Sequence, residues 1–364
     1  MDYRGRLKRL QQALALRKLD GLLVTHRPNI RYLCGFTGST GVLLVTAQKS
    51  VFFTDGRYTT QARNEVIGPR IAIARKAALA EAAGWLNAQG RRLGRGRIGI
   101  EAEHMTVSER ARVSALLSSG VELKNAPALV EQARMAKDRD ELARLRASVL
   151  LGASLFDTAL QTIRPGVTEV EVAAEMEYQA RHSGADQMSF ETIIASGERS
   201  ALPHGRASQA AIPASGFVVC DFGVILTGYC SDMTRTVYVG RPSEEARHLY
   251  HAVSSAQQSA VEVVKPGVST GEVDQAARKV LQKEGFGRYF THSTGHGVGL
   301  EIHEAPRVAR EQNEILRPGM VITVEPGVYI PGKWGVRIED MVVVTESGCE
   351  VLTPTSKDLI AING

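Results

Sequence analysis

The sequence predicts two domains in tandem: an α/β amino-terminal domain over residues 1–127, and an α+β domain over 128–364 built around an internal pseudo-twofold repeat. Three observations carry that reading. A chain of 364 residues exceeds the ~250 at which single cores stop growing. Its first third alternates helical stripes with short, continuously apolar runs. Beyond that third, Arg164-Pro165-Gly166-Val167-Thr168 returns as Lys265-Pro266-Gly267-Val268-Ser269.

In the first domain, Leu7, Leu10 and Leu14 form a helical stripe, and Leu22-Leu23-Val24 reads as a buried strand. Val42-Leu43-Leu44-Val45, Val51-Phe52-Phe53 and Ile98-Gly99-Ile100 are further strands, with helices expected at 77–87 and 107–117. The domain ends near Pro127, and a helix rich in Glu, Arg and Lys is expected to bridge from about Val130 to Ala147. In the second domain each copy of the signature separates two helical patterns. Pro and Gly end the first helix, and Thr168 or Ser269 caps the next.

The parallel continues into strands. The segment from Gly216 through Asp221 to Val224 matches the one from Gly319 through Glu325 to Val328, with one extra residue in the second. Each half thus ends an apolar strand in a carboxylate, Asp221 or Glu325, and supplies a second one downstream, Asp232 or Glu339. Two hairpins related by an approximate twofold would bring the four acids to one point.

Composition narrows the function. The chain is 43% hydrophobic and 23% charged, close to globular averages, so wholesale disorder is not expected. The net charge of +5 is spread along the chain, and the densest basic stretch, residues 91–97, lacks interleaved aromatics and reads as a solvated loop; no nucleic-acid partner is expected. No run approaches the ~20 apolar residues of a membrane span, and the amino terminus has no apolar signal core, so the expected location is cytoplasmic. Cys34, Cys220, Cys230 and Cys349 show no paired spacing, which argues for reduced thiols and against a zinc ribbon.

A lone carboxylate closing a buried strand is costly unless paired or bound to a cation, and four of them call for cations. His296, among the glycines of Thr294-Gly295-His296-Gly297-Val298-Gly299, adds an imidazole in a place where backbone and ligand can approach closely. Mixed oxygen and nitrogen donors suit manganese, iron, cobalt or zinc. Two such ions sharing carboxylates activate water, so the expected chemistry is hydrolysis. His204 in Pro203-His204-Gly205 and His303 in Ile302-His303-Glu304 are candidates for holding the substrate carbonyl or an oxyanion, with a structural histidine as the competing reading for each.

Taken in order, Pro203-His204-Gly205, Asp221-Phe222-Gly223, the run from Gly228 to Thr236, Gly295 to Gly299, His303-Glu304-Ala305-Pro306, Glu325-Pro326-Gly327 and the run from Gly335 to Asp340 resemble the motif series of the pita-bread metallopeptidases. They are most similar to the Xaa-Pro branch, aminopeptidase P and prolidase. Tyr32 to Ser39 and Phe53 to Tyr58 resemble the creatinase-like amino-terminal domain of that branch. The resemblance implies five ligands, Asp221, Asp232, His296, Glu325 and Glu339, holding two divalent ions, manganese first, with cobalt, zinc and iron open. Asp232 and Glu339 would bridge the ions, and Glu325 would also relay a proton. His204 and His303 would position substrate and stabilise the oxyanion, and Arg337 would support the bridging carboxylates. A homodimer and proline-containing peptides as substrates are likewise implied.

Creatinase and the non-catalytic modules of this fold lack the ligand set, and methionine aminopeptidases generally lack such an amino-terminal domain. Within the Xaa-Pro branch the reading leans to an aminopeptidase, with a dipeptidase as the alternative. Arg307, directly after Pro306, could pair with a dipeptide's free carboxylate, or could be an ordinary surface arginine.

Overall fold

The computed structural model describes residues 1–93, 96–126 and 128–363, and the chain divides into two compact units, Met1–Arg134 and Met135–Gly364. The first unit is organised on a six-stranded mixed sheet. Its central strand, Gly21–Val24, is buried along its whole length, which is why the sequence there is continuously apolar. It pairs antiparallel with Val42–Thr46 and parallel with Gly96–Glu101. Ser50–Thr54 follows, and the sheet closes at its edges with Arg70–Ile73 and Val121–Ala126. Those edge strands carry Arg70, Glu122, Lys124 and Asn125, and this polarity hid them from a search for apolar runs. The helix Tyr3–Leu16 buries Leu7, Leu10 and Leu14, and Ala78, Ala82 and Leu86 of the helix Ala78–Leu93 pack on the sheet.

Two expectations are corrected in this unit. The basic stretch at 91–97 is not one loop: it is shared between the end of the helix Ala78–Leu93 and the strand Gly96–Glu101, with Gly94 and Arg95 outside the described residues. The bridging helix is broken into Leu129–Met135 and Arg139–Thr162. The first piece belongs to the amino-terminal unit, because Arg134 donates to Asn29 Oδ1 at 2.7 Å and the Tyr32 hydroxyl donates to the Ala133 carbonyl at 3.1 Å. The break comes at Asp138, whose carboxylate accepts the N–H groups of Asp140 and Glu141 in a capping box that starts a new helix. Pro127, where the sequence suggested an end, lies outside the described residues.

In the second unit the duplicated signature does the same work twice. Gly166 and Gly267 have φ of 88° and 87°, a left-handed conformation that glycine adopts without strain. Thr168 and Ser269 then open the helices Glu169–His182 and Thr270–Lys283 through capping boxes with Glu171 and Glu272. Each signature also pairs with a returning segment: Gly166 N–H donates to the Ile212 carbonyl and Gly267 N–H to that of Leu316. The helices Arg139–Thr162 and Glu169–His182 cover one apolar cluster, and Glu244–Val263 and Thr270–Lys283 cover another.

Each half contributes a sheet. In the first, Gly216–Phe222 lies between Ile193–Ser196 and Met233–Val239. In the second, Val321–Val324 lies between Gly295–Gly297 and Asp340–Val344, with Glu304–Val308 beyond Gly295–Gly297. The halves meet where the Glu339 N–H donates to the Thr234 carbonyl at 3.1 Å and Thr236 Oγ1 donates to the Arg337 carbonyl at 2.8 Å. That seam sets the two acid-bearing hairpins against each other.

Candidate active site

Asp221 lies within the strand Gly216–Phe222, and Asp232 immediately precedes Met233–Val239. In the other half, Glu325 immediately follows Val321–Val324 and Glu339 immediately precedes Asp340–Val344. All four acids, with His296, line one cavity of about 610 Å³. The apolar part of its wall comes from Phe190, Ile193, Pro203 and Ile302, and its polar part includes His204, His303, Arg307 and Arg337. Every residue singled out from the sequence for chemistry therefore faces the same space.

The electrostatics there are far from balanced. Burial pushes the Asp232 and Glu339 carboxyls well above the usual carboxylate range, and the charges of neighbouring acids push the same way. Glu325 is pushed up to about 7 by burial, with the Arg337 guanidinium pulling it back. Asp221 receives an ion pair from Arg337, yet its Oδ1 is buried with no partner. A single guanidinium cannot satisfy four clustered acids, so they must hold protons or a cation.

His296 points to the cation. Its Nδ1–H donates to the Gly297 carbonyl at 3.0 Å, which leaves the Nε2 lone pair aimed inward. That Nε2 lies 3.6 Å from Asp232 Oδ2 and 3.5 Å from Glu325 Oε1, while burial lowers the imidazole pKa to about 4. An unprotonated nitrogen facing two carboxylate oxygens is repulsive unless a positive centre lies among them. Asp232, His296 and Glu339 offer ligand atoms within 4.8 Å of one another, and the mixed oxygen and nitrogen donors fit a divalent transition metal.

Local structure explains why these residues reach the site. The glycines around His296 serve neighbouring strands: a side chain at Gly295 would collide with the Thr323 carbonyl, and one at Gly297 with that of Ala305. Close strand approach, rather than close ligand approach, requires them. Arg337 pairs with Asp221 rather than with Asp232 or Glu339, and also donates to Tyr329 Oη (2.5 Å), the Pro203 carbonyl (3.0 Å) and Thr234 Oγ1 (3.1 Å). Glu339 is held instead by the Thr234 hydroxyl at 2.7 Å. The His303 ring stands edge-on to that of His296, with centroids 4.4 Å apart, and burial lowers its pKa. Arg307 projects from Glu304–Val308, directly across the ladder from His296, with no ion-pair or hydrogen-bond partner for its side chain among the described residues.

Sequence reasoning missed His292 and Tyr329. The Tyr329 hydroxyl donates to His292 Nε2 at 3.0 Å, and His292 Nδ1–H donates to the Ser293 carbonyl at 2.7 Å, so the pair extends the Arg337 network to the cavity wall. Neither residue belongs to the repeat. Only the folding back of Gly327–Ile330 onto Trp334–Arg337 brings Tyr329 to Arg337.

Comparison with known proteins identifies the family of the chain. Residues 143–346 match metallopeptidase family M24, and residues 6–136 match the creatinase/prolidase N-terminal domain. The peptidase YqhT of Bacillus subtilis is 41% identical over 98% of this chain and 100% of its own length. A Xaa-Pro dipeptidase of Pyrococcus horikoshii is 36% identical over 98% of both chains. The solved structure of a Xaa-Pro dipeptidase from Bacillus anthracis superposes with a TM-score of 0.95 at 40% identity, covering 99% of each chain. With this likeness running from end to end and the acids gathered at one cavity, the chain belongs to metallopeptidase family M24, with the pita-bread catalytic domain of that family behind a creatinase-type amino-terminal domain.

Proposed function

We propose that the protein is a two-metal Xaa-Pro dipeptidase. The observation that carries the metal site is the His296 Nε2 lone pair facing two carboxylate oxygens beside the unpartnered Asp221 Oδ1. Asp221, Asp232, His296, Glu325 and Glu339 would hold the ions, with manganese first among the candidates. Bound there, the ions would polarise the scissile carbonyl and acidify a water molecule. Glu325 would take a proton from the attacking water and pass it to the departing nitrogen. The proton is needed because an amide nitrogen leaves as an amine and not as an anion; a proline amide differs only in offering no N–H for the enzyme to bind. His204 and His303 orient the carbonyl and its developing oxyanion, and the apolar wall of Phe190, Ile193 and Ile302 suits a pyrrolidine ring.

The sequence alone leaned to an aminopeptidase; the Bacillus anthracis and Pyrococcus horikoshii relatives, both named dipeptidases, move the better reading to dipeptides. Arg307, unpartnered at the cavity, supports the same choice as a receptor for the free carboxylate. The manganese-loaded enzyme is expected to hydrolyse Gly-Pro faster than Gly-Pro-Gly. Replacing Arg307 with Ala is expected to cost about ten- to a hundredfold in kcat/KM on the dipeptide alone, the range of one charge-assisted pair. Faster turnover of the tripeptide, with equal loss on both substrates in the variant, would return the assignment to an aminopeptidase. Undiminished turnover after metal stripping would overturn the metal mechanism itself.

A further inference from the structure

We propose that the buried ion pair between Lys137 and Glu304 is a positioning device for His303. Lys137 Nζ lies 3.2 Å from Glu304 Oε2, with side chains 1% and 6% exposed. A pair so deeply withdrawn from water is a costly way to gain stability, and its retention calls for a geometric reason. One end of the pair is fixed by backbone: the Lys137 N–H donates to the Gly319 carbonyl at 2.8 Å, and Ala136 bridges Met320 at the entrance to the strand Val321–Val324. Its other end fixes a turn. Glu304 Oε1 accepts the Glu301 N–H at 3.1 Å, and the Gly299 N–H donates to the Glu301 carbonyl.

The turn from Gly299 to Glu304 is thus wrapped around a carboxylate. A side chain at Gly299 would come within 2.6 Å of Glu304 Oε1, so any larger residue there would displace the carboxylate from this position. His303 lies within that turn, directly before Glu304, and stands against His296 at the cavity. Lys137 holds the Glu304 carboxylate, the carboxylate holds the turn, and the turn sets where the His303 imidazole sits. A charge anchored beside the entrance to the strand that leads to Glu325 is therefore tied to the ring that stands against His296.

This inference rests on the Xaa-Pro peptidase reading, and the experiment separates the two. Lys137→Met and Lys137→Arg are made in the wild type and in His303→Ala, and all proteins are assayed on Gly-Pro with manganese content measured by elemental analysis. Lys137→Met is expected to lower kcat tenfold or more, with metal content retained and KM changed less than threefold, and Lys137→Arg to restore most of the rate. In the His303→Ala background, Lys137→Met is expected to cost less than twofold more, because the residue through which it acts is already gone. An equal loss in both backgrounds, or a loss that tracks metal content or melting temperature, would overturn the positioning role and leave the pair purely structural. If the wild type cleaves no Xaa-Pro peptide, the functional reading fails instead, and the same cycle is run on whichever peptide it cleaves.

Discussion

At the level of single residues, the proposed function divides the site into groups that would hold a cation and groups that would hold substrate, and variants should divide accordingly. Asp232 lies among three other acids and the His296 lone pair, so Asp232→Ala is expected to lose bound metal. His204 lines the cavity without belonging to that cluster; His204→Ala is expected to keep its metal while losing rate by ~100-fold, the scale of one oxyanion donor. Elemental analysis beside kcat would show equal metal loss in both if the division is wrong. His292 offers a different readout. Burial first, and the Arg337 charge second, lower its pKa from 6.5 to about 4. A depressed imidazole binds fewer protons in the folded than in the unfolded state, so its contribution is present above 6.5 and is lost as pH falls toward 4. The 6.5-to-4 difference corresponds to about 3 kcal/mol. His292→Gln should therefore lose stability less steeply than the wild type between those limits in urea titrations, and parallel profiles would contradict the assignment.

At the level of elements, what the sequence revealed and what it concealed follow from the same physics. The repeat was legible because Gly166 and Gly267 both need a left-handed backbone and Thr168 and Ser269 both cap a helix, local demands that fix residue types. Asp221 and Glu325 were legible because a charge is conspicuous in an otherwise apolar strand. The edge strands Arg70–Ile73 and Val121–Ala126 were not, since an exposed edge tolerates the polar residues that erase the pattern. Nor was the break at Asp138, where composition stays uniform and only a cap marks the new start. The Lys137–Glu304 and Tyr329–Arg337 contacts join residues far apart in sequence and leave no local trace. The repeat also makes an element-scale prediction. No neighbour lies within 4 Å of a side chain built at Gly166 or at Gly267, so alanine at either place meets only the backbone penalty. Gly166→Ala and Gly267→Ala should each destabilise by about 1–2 kcal/mol in urea unfolding. Clearly unequal costs would show that the two copies are no longer mechanically equivalent.

For the molecule as a whole, the site is a concentration of negative charge inside a chain whose net charge is +5. Asp221, Asp232, Glu325 and Glu339 surround one cavity, and Arg337 ion-pairs with Asp221 among them. The fold that assembles them works against their burial first and their mutual repulsion second, and the raised pKa values of Asp232, Glu325 and Glu339 follow chiefly from the burial. A cation bound by these acids relieves that repulsion only in the folded state, since the unfolded chain scatters the ligands. Metal should therefore act as a folding ligand as well as a catalytic one. Manganese at a hundredfold excess over its dissociation constant is expected to add about 2.7 kcal/mol per site. For a unit of this size that corresponds to a rise in Tm of roughly 5–10 °C over chelated protein. Calorimetry of the chelated protein with increasing manganese tests this independently of any substrate, and Asp232→Ala should show a much smaller rise. A melting curve indifferent to manganese would mean that protonation alone satisfies the acids, and that the cavity was not built around cations.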